Sequence, residues 1–321
     1  MNHKLLILAQ DENKYRALIE EAQFSNLEFA TQPAADVDIV LGEPSRIKAA
    51  LASLPAVSWV QSIWAGIEPL VGPTARRDYI LTNARGVFGG LMSEYVIGYL
   101  LAHERKIFKR REDQKNKLWD ETETGTLLGK TIGLLGVGSI GAEVALTAKF
   151  FGMNVRGYTR GSENSTHVDE YFHPLESDSL LSNSKLQQQA VALQRFADGL
   201  DYLVNILPNT LDTRKIINED LLDVLPPHAL VINVGRGPAV DESALIDALN
   251  QNKIAGAVLD VFEQEPLPKE HPFWTTPNLL MTFHTAAPSL AEDISKIFIG
   301  NYELFNEGKP LKYQVDFEKG Y

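Results

Sequence analysis

Residues 131–160, TIGLLGVGSIGAEVALTAKFFGMNVRGYTR, read as strand, glycine turn, helix and strand, an order that commits the chain to a parallel α/β sheet. The apolar run Ile132–Leu135 is a buried strand. Gly136, Gly138 and Gly141 follow at the spacing G-x-G-x-x-G. Ile140, Val144, Ala148 and Phe151 recur at helical spacing, Gly152 marks the helix end, and Asn154–Tyr158 is the next strand. The first glycine makes the tight turn, the second lets backbone approach a pyrophosphate, and the third packs helix on strand. The helix N-terminus then offers free N–H groups and a positive dipole end. Ser139 and Ile140 lie in that first turn, so Gly136, Gly138, Ser139, Ile140 and Gly141 form a candidate dinucleotide cradle.

An NAD site carries Asp or Glu about 20 residues further on, for the ribose 2′-hydroxyl. Here that place holds Tyr158, Thr159 and Arg160, and no carboxylate occurs before Glu163. Arg160 can meet a 2′-phosphate with a bidentate fork. NADP(H) is therefore the expected cofactor, with NAD(H) possible if Arg160 is only a solvated strand-end residue.

A chain of 321 residues has room for two cored domains. There is no cysteine, which excludes disulfides, thiolate catalysis and Cys-based metal sites; the seven histidines show no ligand spacing, so no metal is expected. A net charge of −12 argues against nucleic acid or an anionic membrane as partner. The N-terminal apolar run is too short for a secretion signal and reads as a first strand, so a cytoplasmic protein is expected.

Before the glycine turn, Lys4–Ala9, Val37–Leu41 and Ser58–Ile63 read as strands, and Glu12–Gln23 and Arg46–Leu54 as helices. Ser93 reads as the N-cap of one long helix through Asp113, with a basic run at its end that is more in keeping with a solvated helix terminus than a nucleic-acid patch. After it, a short surface helix fits the polar stretch 177–194. Strands are expected at Leu203–Leu207, Ala229–Val234, Ala255–Val261 and Leu279–Thr282, with helices at Asp220–Leu225, Asp241–Asn250 and Ser289–Glu307.

Three residues stand just after strands of the second half: Arg236 between two glycines, Glu265 in DVFEQEPLP, and His284 after LLMTF. Each alone is more often structural. Together, on the carboxyl edge of one sheet with a dinucleotide turn, they make a plausible reductase site.

The glycine turn, VINVGRGPAVDESAL, GAVLDVFEQEPLP and TFHTAAPS resemble the D-isomer-specific 2-hydroxyacid dehydrogenase family. WAGIEPLV, NARGVFGGLMSEYVIGYLLA, LPNT and VDFEKGY extend the likeness over nearly the whole chain, which looks most like the glyoxylate/hydroxypyruvate reductase A branch. The resemblance implies two doubly wound parallel-sheet domains with the active site in the cleft between them. Residues 1–100 with 286–321 would form the substrate domain and 101–285 the dinucleotide domain. It implies a homodimer, and reduction of a small 2-keto acid with Arg236 on the substrate carboxylate and keto oxygen. His284 would be the acid/base and Glu265 its partner. Trp64, Ala65 and Gly66 would contact substrate, with Trp64, Leu70 and Phe88 narrowing the pocket. Asp260 would meet the nicotinamide carboxamide, and Leu207, Pro208, Val234 and Gly235 would flank the cofactor. A bulkier 2-keto acid, or a non-catalytic nucleotide-sensing protein of the same fold, are the rival expectations. The family's Pro-His-Ile-Ala-Gly is here Phe283-His284-Thr285-Ala286-Ala287, and residues 176–189 look like an insertion.

Overall fold

The computed structural model describes residues 2–72, 74–161, 163–173 and 182–318. The chain divides into two compact units, residues 1–87 with 288–321, and residues 88–287. The first boundary thus lies ahead of the Gly89–Glu104 helix, not near residue 100.

The first unit holds five strands, β1 (His3–Leu8), β2 (Leu27–Ala30), β3 (Ile39–Gly42), β4 (Trp59–Ser62) and β5 (Ile80–Thr82), in the order β2-β1-β3-β4-β5 and all parallel. β3 and β4 are buried at every position, as strands covered on both faces must be. Trp59 is fully buried and stacks on Phe298 of the Ala291–Asn306 helix at 4.9 Å between centroids. Its Nε1 donates to Thr82 Oγ1 at 2.8 Å, and Asn301 Nδ2 donates to Gln61 Oε1 at 3.2 Å. Buried amides and hydroxyls thereby pair with one another instead of going unsatisfied. The residues after this helix return to the sheet: Val315 N donates to Leu81 O.

The second unit holds seven strands: β6 (Thr131–Leu135), β7 (Asn154–Tyr158), β8 (Glu170–Phe172), β9 (Tyr202–Asn205), β10 (Leu230–Asn233), β11 (Gly256–Leu259) and β12 (Leu279–Met281). Their order is β12-β11-β10-β9-β6-β7-β8, again all parallel. Every turn singled out from Gly136 onward follows a strand of this sheet, so these turns collect at its carboxyl edge. Val144, Ala145 and Ala148 of the Ser139–Phe150 helix pack on one face, against Ile132, Leu134 and Val155.

The expected long helix from Ser93 is two helices. The first begins at Gly89, so Ser93 is not a cap; it is buried within the helix, and its Oγ has no hydrogen-bond partner among the described residues. Lys106 takes a left-handed conformation (φ 51°) and ends the run before Ile107–Lys115. The basic run is tied up locally: Lys109 pairs with Asp113 and Asp120, and Arg110 donates to the carbonyls of Asp120 and Thr122. The sequence expectation for 177–194 falls on a helix, Ser182–Ala197, while residues 176–181 of the apparent insertion lie outside the described residues. β2, β5 and β8 had no clear sequence signal.

Trp59→Ala is expected to destabilise the first unit by about 3–5 kcal/mol, since it removes a fully buried indole. The denaturation midpoint measures it, and a shift below about 1 kcal/mol would contradict the packing described.

Candidate active site

The glycine turn is shaped for a phosphate group. Gly136 has φ 99°, and a Cβ on Gly141 would lie 2.3 Å from Gly136 O, so the helix sits directly on the turn. A Cβ on Gly138 would meet no described atom within 4 Å, leaving open space above the backbone. No described side chain caps the helix that starts at Ser139, so its first-turn N–H groups remain available to an anion. These features fit a dinucleotide pyrophosphate. At the end of β7, Thr159 is buried and Arg160 is exposed, with its Nη2 2.5 Å from Asp212 Oδ2.

A buried amide pair that the sequence did not flag holds the next two turns. Asn205 Nδ2 donates to Asn233 Oδ1 at 2.8 Å. Leu207 N donates to Asn205 Oδ1, and Gly235 N to Asn233 Oδ1. A Cβ on Gly235 would lie 2.8 Å from Leu207 O, so the Leu207–Pro208 and Val234–Gly235 turns press together. The signal was present as Asn at the end of two successive strands.

Arg236 follows, its backbone carbonyl accepting from Asn233 Nδ2 at 3.1 Å. A Cβ on the neighbouring Gly237 would lie 1.8 Å from the Phe262 carbonyl carbon, so the Arg236 turn is packed onto the loop that carries Glu265. Glu265 Oε1 accepts from Phe262 N at 2.9 Å, and Glu265 Oε2 lies 2.7 Å from His284 Nδ1. The structure therefore brings Arg236, Glu265 and His284 together.

His284 itself has φ 57°, a left-handed conformation uncommon outside glycine. Asp260 holds it there. The His284 N–H donates to Asp260 O at 2.7 Å; the buried Asp260 carboxylate accepts from Thr282 Oγ1 (2.5 Å), Thr285 N (2.9 Å) and Ala286 N (3.1 Å). Thr282 Oγ1 also lies 2.7 Å from the Tyr95 hydroxyl, whose titration burial pushes up, so the phenol stays neutral. Asp260, expected at a nicotinamide, thus has three of its acceptor positions committed to its own chain.

The hydrogen bond to Glu265 raises the His284 pKa; burial opposes this, the Glu265 charge adds to it, and the Arg236 charge lowers it. For Glu265, burial acts upward, but the bonds from His284 and Phe262 N outweigh it and the pKa is lowered. The pair thus favours imidazolium beside carboxylate.

The remaining candidates belong to the first unit. Trp64 is 41% exposed, and its backbone N–H donates to Ser62 Oγ, while Asn83 Nδ2 donates to Ala65 O at 2.8 Å; Gly66 continues this turn. Leu70 does not narrow a pocket: it is buried in the core with Leu6, Val40 and Val60. Phe88 is also buried, directly before the Gly89–Glu104 helix. Among the described residues no group of three or more acidic or histidine side chains could hold a metal, and no helix is long and apolar enough to cross a membrane.

The family model for D-isomer specific 2-hydroxyacid dehydrogenase, NAD binding domain, matches residues 97–286. The chain belongs to this family. It is accordingly an NAD(P)-dependent oxidoreductase of the 2-hydroxyacid type. Glyoxylate/hydroxypyruvate reductase A of Yersinia enterocolitica is 32% identical over 91% of this chain and 89% of its own length. A crystal structure of a D-isomer specific 2-hydroxyacid dehydrogenase family protein from Aeromonas salmonicida is 38% identical, with a TM-score of 0.90 over 99% of this chain and all of that one. A family member from Xanthobacter autotrophicus, in complex with NADPH and MES, is 29% identical, with a TM-score of 0.86 over the whole of both chains.

The charge pair can be tested without substrate. NMR titration of His284 in the free protein is expected to give a pKa above the ordinary histidine value of about 6.5, and Glu265→Gln to bring it down toward that value. A His284 pKa unaffected by that substitution would contradict the coupling.

Proposed function

We propose that this chain is a cytoplasmic, homodimeric, NADPH-preferring reductase of small 2-keto acids of the glyoxylate and hydroxypyruvate kind, forming the D-2-hydroxy acid. The observation that carries the reading is the 2.7 Å His284–Glu265 hydrogen bond beside Arg236. Ketone reduction needs a proton donor charged near neutral pH and a cation to hold the carboxylate and polarise the carbonyl, and these three side chains supply both. The name of the Yersinia enterocolitica relative and the NADPH in the Xanthobacter autotrophicus structure support the substrate class and cofactor.

In this reading, Arg236 pairs with the substrate carboxylate and keto oxygen. NADPH, when bound on the glycine turn with Arg160 at its 2′-phosphate, supplies the hydride. Glu265 engages Nδ1 of His284, so Nε2 carries the proton that passes to the keto oxygen as the carbonyl carbon is reduced. In the reverse direction the neutral imidazole takes the hydroxyl proton back. With Leu70 in the core, the size limit on the substrate rests on less of the chain, and bulkier 2-keto acids remain the second reading.

Initial rates with glyoxylate and hydroxypyruvate, NADPH and NADH side by side, are expected to favour NADPH. Arg236→Ala and His284→Ala should each lower kcat/KM by about 10²–10⁴-fold. Retained activity in both would overturn the roles; absence of turnover with any 2-keto acid would favour the nucleotide-sensing alternative. Because His284 must be protonated for reduction and its pKa is raised, the rate should be at its full value below the ordinary histidine pKa of about 6.5 and fall as pH rises through the raised value. Oxidation should rise over the same range, and Glu265→Gln should move the falling limb to lower pH.

Ile107, Phe108, Leu118 and Trp119 are all exposed within one short stretch of chain, Trp119 at 90%, which favours the dimer over a monomer. Light scattering is expected to give a dimer mass that Trp119→Glu shifts toward monomer; a monomeric parent protein would refute this.

A further inference from the structure

The Arg160–Asp212 pair links two loops that stand on either side of the glycine turn. Arg160 follows β7 and Asp212 lies beyond β9, and these two strands flank β6, which feeds the turn. Asp212 is not on a loose loop. It sits in the short helical turn Leu211–Thr213, where Thr213 Oγ1 donates to Pro208 O at 2.6 Å and accepts from Thr210 N at 2.9 Å. The cations next along the chain are committed elsewhere, Arg214 to Glu263 and Lys215 to Asp241. The turn that carries Asp212 is thus fixed beside Arg160, and the carboxylate lies 2.5 Å from its Nη2.

We propose that Asp212 is a specificity-determining residue that competes with the 2′-phosphate of the dinucleotide for Arg160, and so sets the ratio between phosphorylated and non-phosphorylated cofactor. This rests on the reading of Arg160 as the phosphate-binding residue. Both side chains are more than half exposed, so their ion pair is weak and readily exchanged. A phosphate monoester brings a charge of about −1.5 to −2 and can engage the guanidinium fork bidentately, so it displaces a single carboxylate oxygen. Asp212, on its anchored turn, then remains a negative charge near the bound phosphate and weakens its binding. When the dinucleotide carries only a 2′-hydroxyl, Arg160 stays paired with Asp212 and leaves no unbalanced cation at the ribose. The same two residues thereby admit NADH while favouring NADPH.

Dissociation constants for NADPH and NADH, measured by calorimetry on the full-length protein, test this with Asp212→Asn, Asp212→Glu and Arg160→Gln. Asp212→Asn is expected to tighten NADPH about 2- to 5-fold and to leave NADH within about 1.5-fold. Asp212→Glu should keep the parent ratio, and Arg160→Gln should weaken NADPH selectively. If Arg160→Gln leaves the NADPH-to-NADH ratio unchanged, the phosphate reading of Arg160 falls and the inference with it. If Arg160→Gln is selective but Asp212→Asn leaves NADPH unchanged or weakens it, the inference alone is overturned.

Discussion

Every pairing in the seven-stranded sheet is parallel, and the second unit's chemistry follows from that one constraint. A parallel sheet sends all its strands out of the same edge, so residues far apart in the chain meet there. The phosphate-shaped turn, Arg160, the asparagine-held turns, Arg236, Asp260 and His284 all come immediately after strands. No single segment carries the site. The sheet assembles it, and the loops only refine distances.

The refinement is made by buried polar groups. Asn205 and Asn233 join two turns through one amide–amide bond, and Asp260 gathers a hydroxyl and two backbone N–H groups of the His284 loop. A buried carboxylate is costly unless it is satisfied, and here its satisfaction fixes a loop whose key residue has a backbone conformation that few side chains adopt freely. The geometry of His284 therefore belongs to Asp260 as much as to its own segment. Glu265 then sets its charge.

Much of this was legible because it is written locally. The strand–glycine–helix–strand unit at 131–160 is a short-range pattern, and β7 was read with the ends the structure gives it. Arg236, Glu265 and His284 were visible because each follows an apolar run. What sequence missed is mostly non-local. Ser93 looked like a cap because it precedes an apolar helical face, yet the helix already starts at Gly89, with Met92 and Val96 buried in the second unit's core. β8 is three residues long and only partly buried, too short to announce itself. The Arg160–Asp212 pair spans 52 positions, and the Asp260 contacts span 22 to 26, so no window along the chain contains them.

The contact at Gly237 has a mechanical consequence. With no room for even a methyl group between it and the Phe262 carbonyl, the turn bearing Arg236 and the loop bearing Glu265 form one stiff joint. Inward excursions of the two loops must be correlated: neither can move toward the other without pushing it aside. The contact thus sets the nearest approach of the two backbones, and a bulky replacement at this inconspicuous glycine would disturb both charges at once.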